Sequence, residues 1–305
     1  MKPLPHTALL DALAPGGRVV RVRRLRGGVS CSVHAVKLAA VDGGRNDVVV
    51  RRYREDSDHD PGVCSREFRL LTFLTDVGYA CPQPLLLDER GVVFGAPTLV
   101  MSRLPGRGTL APRDLGDYLE QLARNLAKLH SLPIDTLDFL PDDRAHVDER
   151  IQRQLPIEDW LLRDVCSAVR DGWPAVARTE PLTLVHGDFW PGNTVWHRGR
   201  LSGVVDWEMA GLGYAARDVA TCRCDLTNLF GSSAAERFTS SYEGVVGRPL
   251  GNLPFWDLHV ATGALRYMRY WVVGYQDLGR TDLSVDEAAS RTAAFARRAL
   301  DQLRA

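Results

Sequence analysis

Three residues define the chemistry open to this chain: Asp188, Asn193 and Asp206. The first two lie in Leu184-Val185-His186-Gly187-Asp188-Phe189-Trp190-Pro191-Gly192-Asn193-Thr194-Val195-Trp196. The third lies in Leu201-Ser202-Gly203-Val204-Val205-Asp206-Trp207-Glu208. The apolar runs read as three short strands, separated by a polar loop and a turn, the last strand ending in an acid. A carboxylate can orient an attacking hydroxyl and accept its proton. A carboxamide and a second carboxylate supply the oxygen ligands that a hard cation such as Mg²⁺ takes while it neutralises phosphates. Asp188 and Asn193 are five residues apart, with Pro191-Gly192 turning the chain between them. Asp206 follows thirteen residues after Asn193, about one short hairpin further on. The set is what phosphoryl transfer requires. The competing reading is three polar residues capping a β-meander.

The pattern His-Gly-Asp-x-x-x-x-Asn followed by hydrophobic-Asp-Trp-Glu resembles the catalytic and metal loops of the aminoglycoside phosphotransferase family. That family belongs to the choline-kinase-like branch of the protein-kinase-like fold. Gly187 stands where protein kinases have Arg, and Trp207 where they have Phe. The resemblance is strong from 184 to 220 and weak beyond 227. It implies an α+β, two-lobed fold: a nucleotide-binding lobe over residues 1–101 built on a small antiparallel sheet, a hinge over 102–110, and a mainly helical catalytic and acceptor-binding lobe over 111–305. It implies Asp188 as the catalytic base and Asn193 and Asp206 as the metal ligands, with Mg²⁺ as cofactor and ATP or GTP as phosphoryl donor.

Other elements must position these groups. Residues 18–26, 31–40 and 47–53 alternate like strands of an antiparallel meander. The Gly-rich turn 27–30 joins the first two, and its backbone N–H groups suit phosphates. By the resemblance, Gly28 and Ser30 belong to the nucleotide loop. In the third strand Val49, Arg51 and Tyr53 share one face. Kinase-like folds have a Lys here; this chain has Arg51, which keeps the charge but is not an equivalent donor. A helix over 64–76 carries Glu67, expected to pair with Arg51 and hold it at the nucleotide. Residues 54–62 are too polar to pack and read as a mobile loop. Strands are expected over 82–88 and 92–101, turned at 89–91. The stretch after them resembles the family hinge, with the Ser102 C=O and the Leu104 N–H reading the adenine edge.

Further on, Leu115, Leu119, Leu122, Leu126 and Leu129 give a buried helical stripe, with His130 as a helix-end residue rather than a catalyst. Residues 147–170 read as helical, interrupted at Pro156, and the chain after Glu208 as mostly helical. Asp218 is expected to brace the catalytic loop. Tyr267, Tyr270, Trp271 and Tyr275 recur at helical spacing and read as a core stripe; the alternative is an aromatic wall of the acceptor pocket.

The chain has 305 residues, formal net charge +0 and 45% hydrophobic residues. No basic excess points to nucleic acid. The six cysteines show no metal or redox spacing and read as small core residues of a reducing cytosol. No signal core or membrane span is readable, which points to a cytoplasmic protein without a membrane partner. The expected partners are a nucleoside triphosphate and a small hydroxyl acceptor; the oligomeric state is not legible. The acceptor is an aminoglycoside or other antibiotic, which would make the protein a resistance enzyme, or a metabolite such as an amino acid, choline-like alcohol or sugar. From Tyr214 onward acids and bases are about equal in number, which argues against a polycation. The non-catalytic rival is a nucleotide-binding pseudokinase, supported by Arg51 and opposed by the full Asp188, Asn193, Asp206 set.

Overall fold

Alternating apolar residues in the N-terminal third form a five-stranded antiparallel sheet ordered β1-β2-β3-β5-β4. The computed structural model describes residues 4–25, 31–54, 62–152, 159–177 and 181–304. The expected nucleotide loop with Gly28 and Ser30, most of the polar loop 54–62, and the break at Pro156 lie outside the described residues. A short helix α1 (His6–Leu13) precedes the meander β1 (Arg18–Arg24), β2 (Cys31–Ala39) and β3 (Arg45–Tyr53). Then come α2 (Val63–Asp76), β4 (Pro84–Asp88) and β5 (Thr98–Ser102). Leu9, Val36, Leu38, Val48, Val50 and Val100 form the core beside this sheet.

The expected strand over 92–101 begins only at Thr98. Residues 92–94 instead form a turn, because the buried Asp88 carboxylate accepts from the N–H groups of Val92, Val93 and Phe94 at 3.0, 2.8 and 2.7 Å. Arg52, on the opposite face of β3 from Arg51, donates to the Phe94 carbonyl at 2.8 Å. An acid that saturates three successive amides removes them from any ladder.

The chain continues through α3 (Leu115–His130), α4 (Asp143–Gln152), α5 (Trp160–Val176) and β6 (Thr183–Val185), then β7 (Thr194–His197), β8 (Arg200–Val204) and β9 (Gly211–Gly213). It ends with α6 (Ala215–Phe230), α7 (Ser232–Val246), α8 (Leu253–Asp277) and α9 (Val285–Arg304). Asp114 caps α3 and Asp159 caps α5, each accepting a backbone N–H of the first turn. Of the leucine stripe of α3, Leu119, Leu122, Leu126 and Leu129 are buried, while Leu115 in the first turn is half-buried. Two units result. One runs up to Pro105 and includes Ser202–Glu208; the other is Gly106–Leu201 together with the chain from Met209 onward.

The core of the second unit centres on Trp173, Tyr214, Phe255 and Trp256. The aromatic stripe of α8 departs from expectation: Tyr275 is buried, but Tyr267, Tyr270 and Trp271 are 46%, 60% and 36% exposed. Ala261, Ala264, Met268, Val272 and Tyr275 form the true core face of α8. The aromatic residues have the same period one position out of phase, so only the last is turned inward. All six cysteines are free, four of them buried. Among the described residues no helix is long and apolar enough to cross a membrane.

Candidate active site

In the first unit the site is built on Arg51, 6% exposed. The strand alternation of β3 turns Arg51 and Tyr53 to the same side, where α2 presents Glu67. Arg51 Nη1 lies 3.2 Å from Glu67 Oε1, the expected pair. Tyr53 donates its hydroxyl to the other oxygen of Glu67. Arg51 Nη2 lies 2.5 Å from Asp206 Oδ1 and 2.6 Å from Glu208 Oε2. One guanidinium therefore faces three carboxylates. Burial pushes Glu67 upward in pKa, against the lowering effect of Arg51 and the Tyr53 hydrogen bond. Burial alone would lower Arg51, but Glu67 and Asp206 hold it well above its ordinary value.

Asp206 has φ +71°, a left-handed conformation costly for a residue with a side chain. Its neighbours hold it there. Trp207 donates its backbone N–H to Glu67 Oε1 at 3.4 Å and its indole N–H to the Val204 carbonyl at 3.0 Å, and its ring meets Tyr79 edge-on. β8 reaches this point past Ala80, where Gly203 is required: a Cβ there would come within 2.8 Å of the Ala80 carbonyl and 2.9 Å of Leu104 Cδ1. Leu104 thus borders the strand that delivers Asp206. Ser102 ends β5, donating its N–H to Gln83 O and accepting the Gln83 N–H on its hydroxyl, both at 2.8 Å.

In the second unit β6 delivers His186, Gly187 and Asp188. Gly187 has φ +80°, and a Cβ there would come within 2.1 Å of the Met209 carbonyl, so only glycine lets this loop lie down. Asp218, fully buried on α6, accepts the His186 and Gly187 N–H groups at 2.7 and 2.9 Å. His130 Nε2 is 3.3 Å from the same carboxylate, and its Nδ1 is 2.7 Å from the Tyr242 hydroxyl. Burial would raise Asp218, but His130, with His186, holds it below the usual carboxylate range. Asp218 is therefore the brace of the loop, and His130 its support at the end of α3. Asn193 Nδ2 donates to Asp188 O at 3.0 Å and to Asp188 Oδ2 at 2.9 Å, so the Asp188 carboxylate and the Asn193 carboxamide are fixed together.

Each unit carries, by itself, an oxygen donor of the kind a hard cation takes. Asp206 Oδ1 is buried and, although ion-paired, accepts no hydrogen bond. Asn193 commits its Nδ2 to the loop, and its amide oxygen is an atom of the kind a hard cation takes.

A model of the phosphotransferase enzyme family, APH, matches residues 21–257. The chain belongs to that family. Among relatives, viomycin phosphotransferase from Streptomyces vinaceus is 30% identical over 241 residues, 70% of this chain and 77% of its own length. Acyl-CoA dehydrogenase family member 11 from Rattus norvegicus is 26% identical over 181 residues, 51% of this chain; the match spans about a fifth, 22%, of that protein. The solved macrolide 2′-phosphotransferase MphH from Brachybacterium faecium shares the fold with TM-score 0.59 and 22% identity, covering 93% of this chain and 97% of that one. The aminoglycoside phosphotransferase APH(4)-Ia, solved with ADP and hygromycin B, does so with TM-score 0.61 and 16% identity over 96% and 98%. The α+β, protein-kinase-like fold expected from the motif is thus the fold of this APH-family chain.

Two groups escaped the sequence reading. Glu208 and Tyr53 complete the Arg51 cluster; Tyr53 shares the Arg51 face by alternation, which was the available signal. Asp225 lies seven residues after Asp218 on α6, two turns on and on nearly the same face.

Proposed function

We propose that the protein transfers the γ-phosphoryl group of a nucleoside triphosphate, ATP or GTP, to a hydroxyl of a small molecule. The observation that carries this reading is the clamp of Asn193 on Asp188, with Asp218 pinning the loop beneath it. A carboxylate fixed in this way can orient a hydroxyl and take its proton. As the hydroxyl oxygen bonds to the γ-phosphorus, the bond to the β-phosphate oxygen breaks, and the proton passes to Asp188. Asn193 and Asp206 would hold Mg²⁺, which neutralises phosphate charge when bound. Arg51, oriented by Glu67, would meet the phosphates, and Ser102 and Leu104 the base. Residues 1–101 would then serve the nucleotide, 102–110 the hinge and 111–305 the catalyst and acceptor. A cytoplasmic location, with no nucleic acid or membrane as partner, belongs to the same reading.

The acceptor classes are antibiotics, as the names of the phosphotransferase relatives suggest, or metabolites bearing a hydroxyl. The test is nucleoside diphosphate release across a panel of amino sugars, macrolides, amino acids and choline-like alcohols, with Asp206→Ala alongside. Acceptor-dependent release, and loss of Mg²⁺-dependent nucleotide binding in Asp206→Ala by calorimetry, are expected. Unchanged Mg·nucleotide affinity in that variant would remove Asp206 from the metal site. Nucleotide binding without any turnover would favour the pseudokinase.

A further inference from the structure

A cavity of about 760 Å³ opens in the second unit, between the end of α3, the start of β6, the end of α7 and the first residues of α6 and α8. No residue from His186 to Asn193 lines it, so it is separate from the loop of Asp188. Its basic side chains are Arg124 and Lys128 from α3 and Arg248 from the stretch after α7. Among the described residues no Asp or Glu lines it. The acids nearby are committed elsewhere: Glu120 pairs with Arg124 at 2.7 Å one turn back along α3, and Glu243 accepts the Leu250 N–H at 2.9 Å. Arg248 is exposed and, among the described residues, has no hydrogen bond or ion pair. Leu182, Val246 and Leu250 give the cavity an apolar wall.

Helix ends add to the charge. α6 and α8 begin at this cavity, at Ala215 and next to Asn252, and neither N-cap side chain bonds the first turn. The amides at such helix starts favour an anion. Lys128 also offsets the C-terminal dipole of α3. Arg248 and the two helix starts are left to a ligand, and a doubly charged head can engage them together. The floor of the cavity is polar and leads inward. Tyr242 and His130 both line it, and the Tyr242 hydroxyl is 2.7 Å from His130 Nδ1. His130 Nε2 in turn meets the Asp218 carboxylate that holds the His186 and Gly187 amides. Burial raises the pKa of the Tyr242 hydroxyl and Asp218 adds to it, while Arg248 acts the other way. The charge of Arg248 is thus felt at the outer end of a chain of contacts that finishes at the loop of Asp188.

We infer that this cavity is a second ligand site, for a small organic dianion with an apolar body, and that its occupant steadies the loop of Asp188 from behind through Tyr242, His130 and Asp218. The anionic head is a phosphate ester or a pair of carboxylates, received by Arg248 and the helix starts; the body lies on Leu182, Val246 and Leu250. The volume is that of a site for a small organic molecule rather than a bare ion. No bond is made or broken there. The inference does not depend on the reading of Asp188 as a base.

The test is calorimetric titration of phenyl phosphate and of phthalate, each a dianionic head on an apolar ring, with benzyl alcohol as the neutral ring. Saturating Mg·AMP-PNP is present throughout to keep the probes from a nucleotide site. The wild type should bind at least one dianion and should not bind benzyl alcohol; which dianion binds tells phosphate from carboxylate. Arg248→Glu should weaken that binding about ten-fold or more, and Lys128→Gln about three-fold. Arg90→Glu, an exposed site in the first unit with the same change of net charge, should leave it unaltered. Arg248 is exposed, so its variant tests charge rather than folding, and Lys128→Gln gives an independent reading. Hydrogen exchange then reads the coupling: exchange of the His186 and Gly187 amides should slow about three-fold or more with the bound dianion in the wild type and stay unchanged in Arg248→Glu. The comparison of variants holds whether or not the protein turns over a nucleotide, so failure here and failure of the phosphotransferase reading are separate results. Absence of dianion binding, equal binding of benzyl alcohol, equal loss in Arg90→Glu, or binding that leaves the two amides unchanged overturns the proposal.

Discussion

Helix α6 carries two buried carboxylates two turns apart, and they are in opposite situations. Asp218 accepts two backbone N–H groups and meets His130, and its pKa is lowered despite full burial. Asp225 accepts one tyrosine hydroxyl, and burial with the Asp188 charge raises its pKa to about 7. Burial is the largest influence on both; what differs is the number of donors. A carboxylate satisfied by the backbone fixes a loop at a lowered pKa, while one left partly unsatisfied near another acid carries the full effect of its burial. Arg51 in the first unit is the inverse case, one buried cation shared among Glu67, Asp206 and Glu208.

Breaking the brace should have the largest effect. Asp218→Ala leaves two buried amides and His130 without their acceptor, and a loss of about 3–5 kcal/mol is expected, as for one partner removed from a buried charged network. Urea unfolding checks it; a loss under about 1 kcal/mol would show that the amides find another acceptor. Arg51→Ala should come next. It leaves Glu67 buried beside Asp206 and Glu208 without a counter-charge, so both stability and nucleotide affinity should fall, by about 3 kcal/mol in stability. Arg51→Lys should keep much of the activity. Wild-type behaviour of Arg51→Ala at low nucleotide would detach the cluster from the phosphates.

The two α6 carboxylates should also carry opposite pH slopes. Asp218 has a lowered folded pKa, so its stabilisation is present above the unfolded value near 3.8 and is lost as pH falls through the folded one. Asp225 has a raised folded pKa, so its contribution is complete below about 3.8 and is lost as pH rises toward about 7. At pH 8 Asp225→Asn should therefore be more stable than the wild type, by on the order of 1–2 kcal/mol once local relaxation and the Asn hydrogen bond are allowed for. At pH 4 the gap should close. Melting curves at both pH values check the sign, and a gap that widens at pH 4 would contradict it. The smallest effect belongs to a helix cap outside the comparison: Asp159→Ala should cost about 1 kcal/mol without touching activity.

The sequence carried the parts of this site that obey a short period. Alternation placed Arg51 opposite Glu67, and the Asp188 to Asn193 spacing matched a loop in which the two side chains bond. The bracing role of Asp218 came from the family resemblance of its helix start. What escaped depended on phase or on competition. The aromatic residues of α8 have a helical period, yet a shift of one position turns Tyr267, Tyr270 and Trp271 outward and Tyr275 inward. Asp88 withdrew three amides from an expected strand, an outcome set by one side chain rather than by the apolar pattern. Asp225 gave no local signal, because its character comes from Asp188 and Tyr275, 37 and 50 residues away in sequence.

The most direct test of the account is Asp188→Asn, measured for kcat and nucleotide affinity with an acceptor found by screening. Asn can still accept or donate within the loop, but it cannot take the hydroxyl proton. The expected result is a fall in kcat of about two to four orders of magnitude, a parallel fall in kcat/KM, and nucleotide affinity little changed. Near-normal kcat would remove Asp188 from the chemistry, and loss of nucleotide binding would place it among the metal ligands instead.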